Sequence, residues 1–123
     1  MDLILEAISL AGHEGKVKIA LDVAASEFFN PDTKIYDLGY KSGATDRRYN
    51  AEKLIEFYGK LIDKYPIKSI EDPFDQDDFA AYASMQSQVK VQIVGDDLLV
   101  TNPVRVKEAI KQKLCNALLL KVN

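Results

Sequence analysis

Apolar residues recur along this chain with two different periods, one typical of helices and the other of strands. The first segment has helical spacing, with apolar side chains at Leu3, Ile4, Ala7, Ile8 and Ala11. Gly12 follows and predicts the end of that helix, because glycine readily takes the left-handed conformation in which helices stop. The short apolar run at residues 17–21 then predicts a strand.

Residues 23–50 show no sustained period and interrupt the alternation of helices and strands. The sequence Asn30-Pro31-Asp32 indicates a turn. After it, polar and apolar residues alternate over residues 34–38, which predicts a small hairpin arm. We expect the aromatic residues of this insert to pack against the rest of the fold. They are Phe28, Phe29, Tyr36 and Tyr40.

Helix and strand signals alternate again from residue 50 to residue 120. Asn50, Asp75 and Asn102 each stand where a side chain can cap the start of a helix, and Pro103 strengthens the third start. Pro66 predicts the end of the first of these helices. Strands are predicted at residues 67–70, 89–94 and 117–120. The apolar stripes of the three helices comprise Leu54, Ile55, Tyr58, Leu61, Ile62 and Tyr65 in the first, Phe79, Tyr82 and Ala83 in the second, and Val106, Ala109, Ile110 and Leu114 in the third.

This order of elements predicts an α/β fold with about four parallel strands. Sequential parallel strands joined by right-handed crossovers place every helix on one face of the sheet. The other face stays bare unless the sheet belongs to a closed barrel, and a complete (β/α)₈ barrel takes about 250 residues. We therefore expect residues 1–123 to form a partial TIM-type (β/α) barrel, as a segment of a larger barrel domain. A small doubly wound domain with reordered strands is the alternative.

Composition and charge exclude several classes of protein. Sixteen Lys and Arg against nineteen Asp and Glu give a net charge of −3, and the bases are scattered, which argues against a nucleic-acid groove. No run approaches the roughly 18 apolar residues of a membrane span, and the N-terminus lacks the features of a signal peptide. The single cysteine, Cys115, forms no internal disulfide and fits a reducing compartment, so we expect a cytoplasmic protein.

A charged residue follows each of the four predicted strands. These residues are Asp22, Glu71, Asp96 and Lys121. Because the carboxyl ends of parallel barrel strands converge on one mouth, we expect the four side chains to meet there. Three carboxylates are hard oxygen ligands that suit Mg²⁺, and a lysine beside a cation in a dry cavity can have its pKa lowered enough to act as a base. The only histidine, His13, lies in a predicted turn, which argues against a zinc site.

Structural roles for these acids stay open on the sequence alone. An acid directly after a strand is commonly a helix N-cap or part of a loop ion pair. Asp72 and Asp97 stand beside two of the candidate ligands, and we interpret them as such caps or as partners that support the site. Asp75, Asp77 and Asp78 lack the glycine and glutamate of a calcium-binding loop and suit a helix N-terminus instead.

Four segments at these strand ends resemble enolase, the phosphopyruvate hydratase family. They lie at residues 21–28, 69–78, 94–98 and 118–123 and read LDVAASEF, SIEDPFDQDD, VGDDL and LLLKVN. The resemblance covers essentially the whole chain, and four motifs in order at matching intervals are highly specific. It implies an internal segment of the C-terminal barrel domain of an enolase, without the N-terminal domain and the remaining barrel strands.

The resemblance implies a role for each matching residue. Asp22, Glu71 and Asp96 match the three carboxylates that hold the catalytic Mg²⁺. Glu71, Asp96 and Lys121 match positions that bind the substrate, and Lys121 matches the general base that takes the C2 proton of 2-phosphoglycerate. The parent enzyme would be a lyase that interconverts 2-phosphoglycerate and phosphoenolpyruvate in glycolysis and gluconeogenesis. Because the family's general acid and phosphate contacts lie outside this chain, we expect the chain alone to be inactive.

The same resemblance implies a homodimer and a cytoplasmic location for the full-length protein. Two other functions stay open. Some enolases bind plasminogen at the cell surface, and residues 28–41 resemble the internal loop that does so, which makes a surface-binding module one alternative. The other is a different enolase-superfamily lyase that uses the same metal-dependent mechanism on another carboxylic acid.

Overall fold

The computed structural model describes residues 1–122, which form four α-helices and two β-sheets. The helices are α1 (Asp2–Leu10), α2 (Ala51–Lys64), α3 (Phe79–Gln88) and α4 (Pro103–Gln112). The strands are β1 (Ile19–Asp22), β2 (Phe29–Asn30), β3 (Ile35–Asp37), β4 (Arg48–Tyr49), β5 (Ile67–Glu71), β6 (Gln92–Gly95) and β7 (Ala117–Leu118). Asn123, the last residue of the fourth motif, lies outside the described residues.

The larger sheet has four strands in the order β1-β5-β6-β7, and every neighbouring pair is parallel. The helices α2, α3 and α4 connect these strands in turn, so each crossover joins two adjacent strands. This order confirms the predicted partial barrel and excludes the doubly wound alternative, which needs reordered strands. All four strands therefore direct their carboxyl ends toward the same edge of the sheet.

Two of the three predicted helix caps are confirmed, and the third is wrong by three residues. The side chain of Asn50 accepts a hydrogen bond from the Lys53 amide at 3.0 Å at the start of α2. Asn102 accepts one from the Val104 amide at 2.8 Å, directly before Pro103 begins α4. Asp78, rather than Asp75, caps α3.

The cap of α3 lies later because the preceding segment is held in a turn of its own. Asp78 accepts a hydrogen bond from the Ala81 amide at 3.3 Å, whereas Asp75 accepts one from the Asp77 amide at 3.1 Å. The buried hydroxyl of Tyr36 donates to Asp78 at 2.7 Å and accepts from the Asp75 amide at 3.1 Å. This contact from another part of the chain fixes which acid begins the helix.

The insert between β1 and α2 forms the second sheet, with the antiparallel order β2-β3-β4. The predicted hairpin arm corresponds to β2 and β3, and the sequence patterns did not indicate β4. Tyr36 is fully buried, with its ring 4.6 Å from that of Phe29 and 5.9 Å from that of Phe74. Phe28, Phe29 and Tyr36 thus pack in or against the hydrophobic core of the fold, as predicted, although Tyr40 is exposed.

Helix α1 has its predicted position, but none of its residues is fully buried. Gly12 follows it with φ +71°, the left-handed conformation expected for a helix stop. Leu5 packs partly against the core, whereas Leu3 is 80% exposed and Leu10 is 83% exposed. The helix therefore presents an apolar face that no other part of the described chain covers.

The open edge at β7 explains two further differences from the sequence pattern. The strand ends at Leu118 instead of residue 120, because its one hydrogen-bonded neighbour, β6, ends at Gly95, which pairs with Leu118. Ile110 was predicted to be buried, yet it is 72% exposed and lines a groove beside β7 with Val106 and Leu118. Ala109 and Leu114 are buried as predicted.

Within residues 1–122, no helix combines the length and the hydropathy that a bilayer crossing requires.

Candidate metal centre

The four charged residues predicted from the sequence lie at the carboxyl ends of the parallel strands. Asp22 ends β1 directly opposite Glu71, which ends β5. Asp96 follows the last residue of β6, and Lys121 lies three residues beyond β7. The ammonium of Lys121 donates a hydrogen bond to Asp96 Oδ2 at 2.7 Å. The fold therefore brings these side chains to one edge of the sheet.

Carboxylate oxygens crowd together at the centre of this edge. One oxygen each from Glu71, Asp72 and Asp96 lies within 4.8 Å of the others, which is close enough to share a metal ion. Asp22 lies outside this group of three, although it is the cross-strand neighbour of Glu71. Its assignment as a metal ligand remains a prediction.

Electrostatic repulsion and burial act on the acids of this cluster. Burial, followed by the charges of Asp22, Asp72 and Asp96, raises the pKa of Glu71 above its usual range. The pKa of Asp97 is raised for the same reasons, with Asp72 as its main charged neighbour. Negative groups that repel each other in this way are stabilised by a bound cation, because the cation offsets their mutual repulsion.

The same negative charges stabilise the charged form of Lys121. Its hydrogen bond to Asp96 raises its pKa, and the charges of Asp97 and Glu71 add to the effect. Lys121 is therefore an ammonium ion at neutral pH in this arrangement. It already balances part of the negative charge of the cluster.

Asp72 plays a different part from the other acids. It is only 3% exposed, and its carboxylate accepts hydrogen bonds from the backbone amides of Asp96, Asp97 and Leu98. The sequence placed Asp72 beside a candidate ligand and suggested a cap or a supporting partner. These three amides lie 24 to 26 residues further along the chain, so no local signal identified them.

The chemistry of this donor set fits a hard divalent cation. The group of nearby ligand atoms contains carboxylate oxygens alone, which suit Mg²⁺, an ion that takes few protein ligands and keeps water or substrate oxygens. His13 lies exposed in the turn after α1, and Cys115 lies between α4 and β7. The nitrogen and sulfur ligands that zinc prefers are thus absent from the described cluster.

Comparison with known proteins agrees with this arrangement. Residues 1–123 match the family model of the enolase C-terminal TIM barrel domain. The chain belongs to the enolase family. Enolase from Eimeria tenella is 55% identical to this chain over 127 residues, and the alignment covers 100% of the chain and 28% of that relative. The chain thus spans little more than a quarter of the length of this curated enolase.

Family membership also bears on the fold. The matched domain is a TIM barrel, and the four-stranded parallel sheet with its connecting helices corresponds to part of one. Each strand of a closed (β/α)₈ barrel has two neighbours, so the outer edges of β1 and β7 are the positions at which further barrel strands would pair. The resemblance stated from the strand-end motifs is therefore confirmed for the family and for the fold.

Proposed function

We propose that this chain forms the metal-binding and proton-accepting side of an enolase active site. In the full-length enzyme, that site would convert 2-phosphoglycerate reversibly into phosphoenolpyruvate and water. The observation that carries the proposal is the meeting of Glu71, Asp96 and Lys121 at the ends of adjacent parallel strands, with Lys121 2.7 Å from Asp96. A base beside a group of metal-binding acids is the arrangement that proton removal next to a carboxylate requires.

Asp22, Glu71 and Asp96 would hold Mg²⁺ in this proposal. Bound there, the ion supplies positive charge that stabilises the negative charge developing on the substrate carboxylate. The raised pKa of Glu71 is consistent with a site whose acids are crowded until a cation is present. Glu71 and Asp96 would also line the substrate position, because their carboxylates lie at the centre of the cluster.

Lys121 would accept the proton from C2 of the substrate. It can do so only as a neutral amine, whereas its hydrogen bond to Asp96 favours the ammonium form. Any interaction that draws the Asp96 carboxylate away from Lys121 weakens this preference and frees the amine for its role as a base. The ion pair therefore represents a resting arrangement from which the reactive form of Lys121 is reached.

The same proposal extends to the setting of the protein. We propose a cytoplasmic location, participation in glycolysis and gluconeogenesis, and a homodimer for the full-length enzyme, as the enolase resemblance implies. We also propose that residues 1–123 alone do not turn over 2-phosphoglycerate. The family's general acid and phosphate-binding groups have no counterpart among the motifs of this chain.

A chimeric enzyme tests the proposed function. The corresponding segment of Eimeria tenella enolase, which is 55% identical to this chain, would be replaced by residues 1–123. We expect the chimera to form phosphoenolpyruvate in a Mg²⁺-dependent way, and we expect Lys121→Ala to remove this activity while the protein remains folded. The matched control is Lys113→Ala, which removes an exposed lysine after α4. A folded chimera in which Lys121→Ala and Lys113→Ala are equally active would contradict the proposal.

The two alternative functions receive less support. A different enolase-superfamily lyase is disfavoured by the match of the whole chain to the enolase model. Plasminogen binding by residues 28–41 stays a prediction. In that segment Tyr36 is buried, while Lys34 and Lys41 are exposed. A peptide of residues 28–41 that fails to compete for plasminogen would remove this alternative.

A further inference from the structure

Asp72 is the one charged side chain that is buried within the described residues. Four hydrogen-bond donors point at its carboxylate. The amide of Asp96 lies 3.1 Å from Oδ1, that of Asp97 2.8 Å from Oδ2, and that of Leu98 3.4 Å from Oδ1. The hydroxyl of Tyr82, on α3, donates to Oδ1 at 3.2 Å. The side chain therefore holds the turn that carries Asp96 immediately after β6.

The backbone of Asp72 contacts β6 itself and the segment that follows β1. Its amide donates to the carbonyl of Val94 in β6 at 3.0 Å, and its carbonyl accepts from the amide of Ala25, after β1, at 3.1 Å. Asp72 itself directly follows Glu71. One residue thus contacts the segments that end β1, β5 and β6, which are the strands that carry Asp22, Glu71 and Asp96.

The backbone of Asp72 adopts an energetically unfavourable conformation while it makes these contacts. Its φ of +41° lies in the left-handed region, which is unfavourable for residues other than glycine and is least so for asparagine and aspartate. Such conformations persist where the surrounding structure holds them, and they cluster at functional sites. The surrounding contacts here are the hydrogen bonds to the turn after β6 and to Tyr82.

We infer that Asp72 is a positioning residue of the acidic site, which sets the location of the Asp96 carboxylate relative to Glu71 and Lys121. Tyr82 acts with it, because its hydroxyl bridges the Asp72 carboxylate and the carbonyl of Phe74, the latter also at 3.2 Å. This inference rests on the proposed function, since the site that Asp72 positions is the proposed Mg²⁺ site.

The hydrogen bonds give Asp72 a role that needs no metal contact. Three of the four donors lie on Oδ1, and the Asp97 amide lies on Oδ2. Three of these donors are the backbone amides of the turn after β6, so the hold on that turn accounts for the proximity of Asp72 to Glu71 and Asp96. Asp22 remains the third proposed ligand.

The test compares Asp72→Asn with Asp97→Asn in the 123-residue chain. Asparagine keeps the shape and tolerates the left-handed backbone, but its amide group would face a backbone N–H donor. Asp97→Asn removes a negative charge beside Asp96, and among residues 1–122 the Asp97 side chain accepts no backbone hydrogen bond, so it controls for the lost charge alone. The measurements are Mg²⁺ affinity by calorimetry and, without metal, amide exchange at residues 96–98 together with the Asp96–Lys121 contact by NMR.

We expect Asp72→Asn to lose the Asp96–Lys121 contact, to expose the amides of residues 96–98 to exchange, and to weaken Mg²⁺ binding by about 10- to 100-fold. We expect Asp97→Asn to keep the contact and the protected amides. If Asp72→Asn does not fold, Tyr82→Phe removes one of the four hydrogen bonds and should shift the same three readouts by less.

Two results would overturn the inference. One is an intact Asp96–Lys121 contact in a folded Asp72→Asn variant, and the other is equal loss of Mg²⁺ affinity in the two asparagine variants. If the unmodified chain binds no Mg²⁺, the proposed function fails. The metal-free NMR comparison then still decides whether Asp72 positions Asp96.

Discussion

Lys121 Nζ lies 2.7 Å from Asp96 Oδ2, so an amine from the segment after β7 pairs with an acid at the end of the neighbouring strand β6. The two residues are 25 positions apart in the sequence, and the parallel register of the strands brings them together. Half of the Lys121 side chain is exposed, so the pair lies at the rim of the acidic cluster rather than inside it.

Removal of the Lys121 charge should strengthen cation binding while it abolishes proton transfer. In Lys121→Met the ammonium no longer competes with a metal ion for Asp96, and the aliphatic part of the side chain is retained. Exposed ion pairs are weak, so we expect Mg²⁺ to bind only about three- to fivefold more tightly to the 123-residue chain. Calorimetric titration measures this affinity, and a weaker affinity in the variant would contradict the prediction.

Metal binding should weaken as the pH falls, beginning above the pH at which an ordinary glutamate becomes protonated. Burial and the charges of Asp22, Asp72 and Asp96 raise the pKa of Glu71, and a protonated Glu71 is a poor ligand. A titration of Mg²⁺ affinity against pH checks this expectation. Glu71→Gln should bind Mg²⁺ weakly at every pH and flatten this part of the profile.

The same shift has a consequence for the stability of the metal-free chain. A group whose pKa is raised on folding favours the folded state when it is protonated. This contribution is present below the unfolded pKa and is lost as the pH rises through the folded pKa. Glu71→Gln should therefore raise the melting temperature near pH 7 and lose this advantage in acid. An equal effect of Glu71→Gln at both pH values would contradict this account of the raised pKa.

Phe74 links the acidic site to the aromatic core, and removal of its ring should lower the stability of the fold. It is fully buried, and its ring contacts those of Tyr36, Tyr58 and Tyr82 at centroid distances of 5.5 to 5.9 Å. We expect Phe74→Ala to lower the free energy of unfolding by about 3–5 kcal/mol, as measured by chemical denaturation. Phe79→Ala, at a partly buried ring on α3, is the control and should cost less. Equal costs would show that the aromatic cluster is not the centre of the core.

The uncovered apolar face of α1 should cause the chain to self-associate. Leu3 and Leu10 are highly exposed on α1, and Leu118 and Leu120 are exposed in and after β7. Burial of apolar area is favourable by about 25 cal/mol per Å², so contact between copies of the chain is expected. Sedimentation velocity should show oligomers that diminish in the double variant Leu3→Glu, Leu10→Glu. A compact monomer at high concentration would contradict this prediction.

Local chemistry made most of the fold predictable from the sequence. Asn50 and Asn102 identified the starts of α2 and α4 because a cap acts within three residues of itself. The charges after the strands identified the candidate site because parallel strands bring their carboxyl ends to one edge. Each of these signals depends on residues close together in the chain or on a single rule of topology.

Contacts between distant segments decided what the sequence did not predict. Asp78 replaced Asp75 as the cap of α3 because Tyr36, about 40 residues earlier, binds both of them. The two-residue strand β4 exists only through its pairing with β3, and it is too short to show a period. Ile110 belongs to the apolar stripe of α4 and was therefore predicted to be buried, but the described chain has no strand beyond β7 to cover it. The role of Asp72 was not predictable for the same reason, because its side-chain partners are Tyr82 on α3 and the three amides of residues 96–98.

The position of a bound cation tests the central claim most directly. Crystals of the chain grown with Mn²⁺, which replaces Mg²⁺ and scatters anomalously, would locate the ion. The account predicts one anomalous peak coordinated by Asp22, Glu71 and Asp96, with the four hydrogen bonds of Asp72 intact. A peak coordinated by Asp72 in place of Asp22, or no peak at the carboxyl ends of the parallel strands, would contradict it.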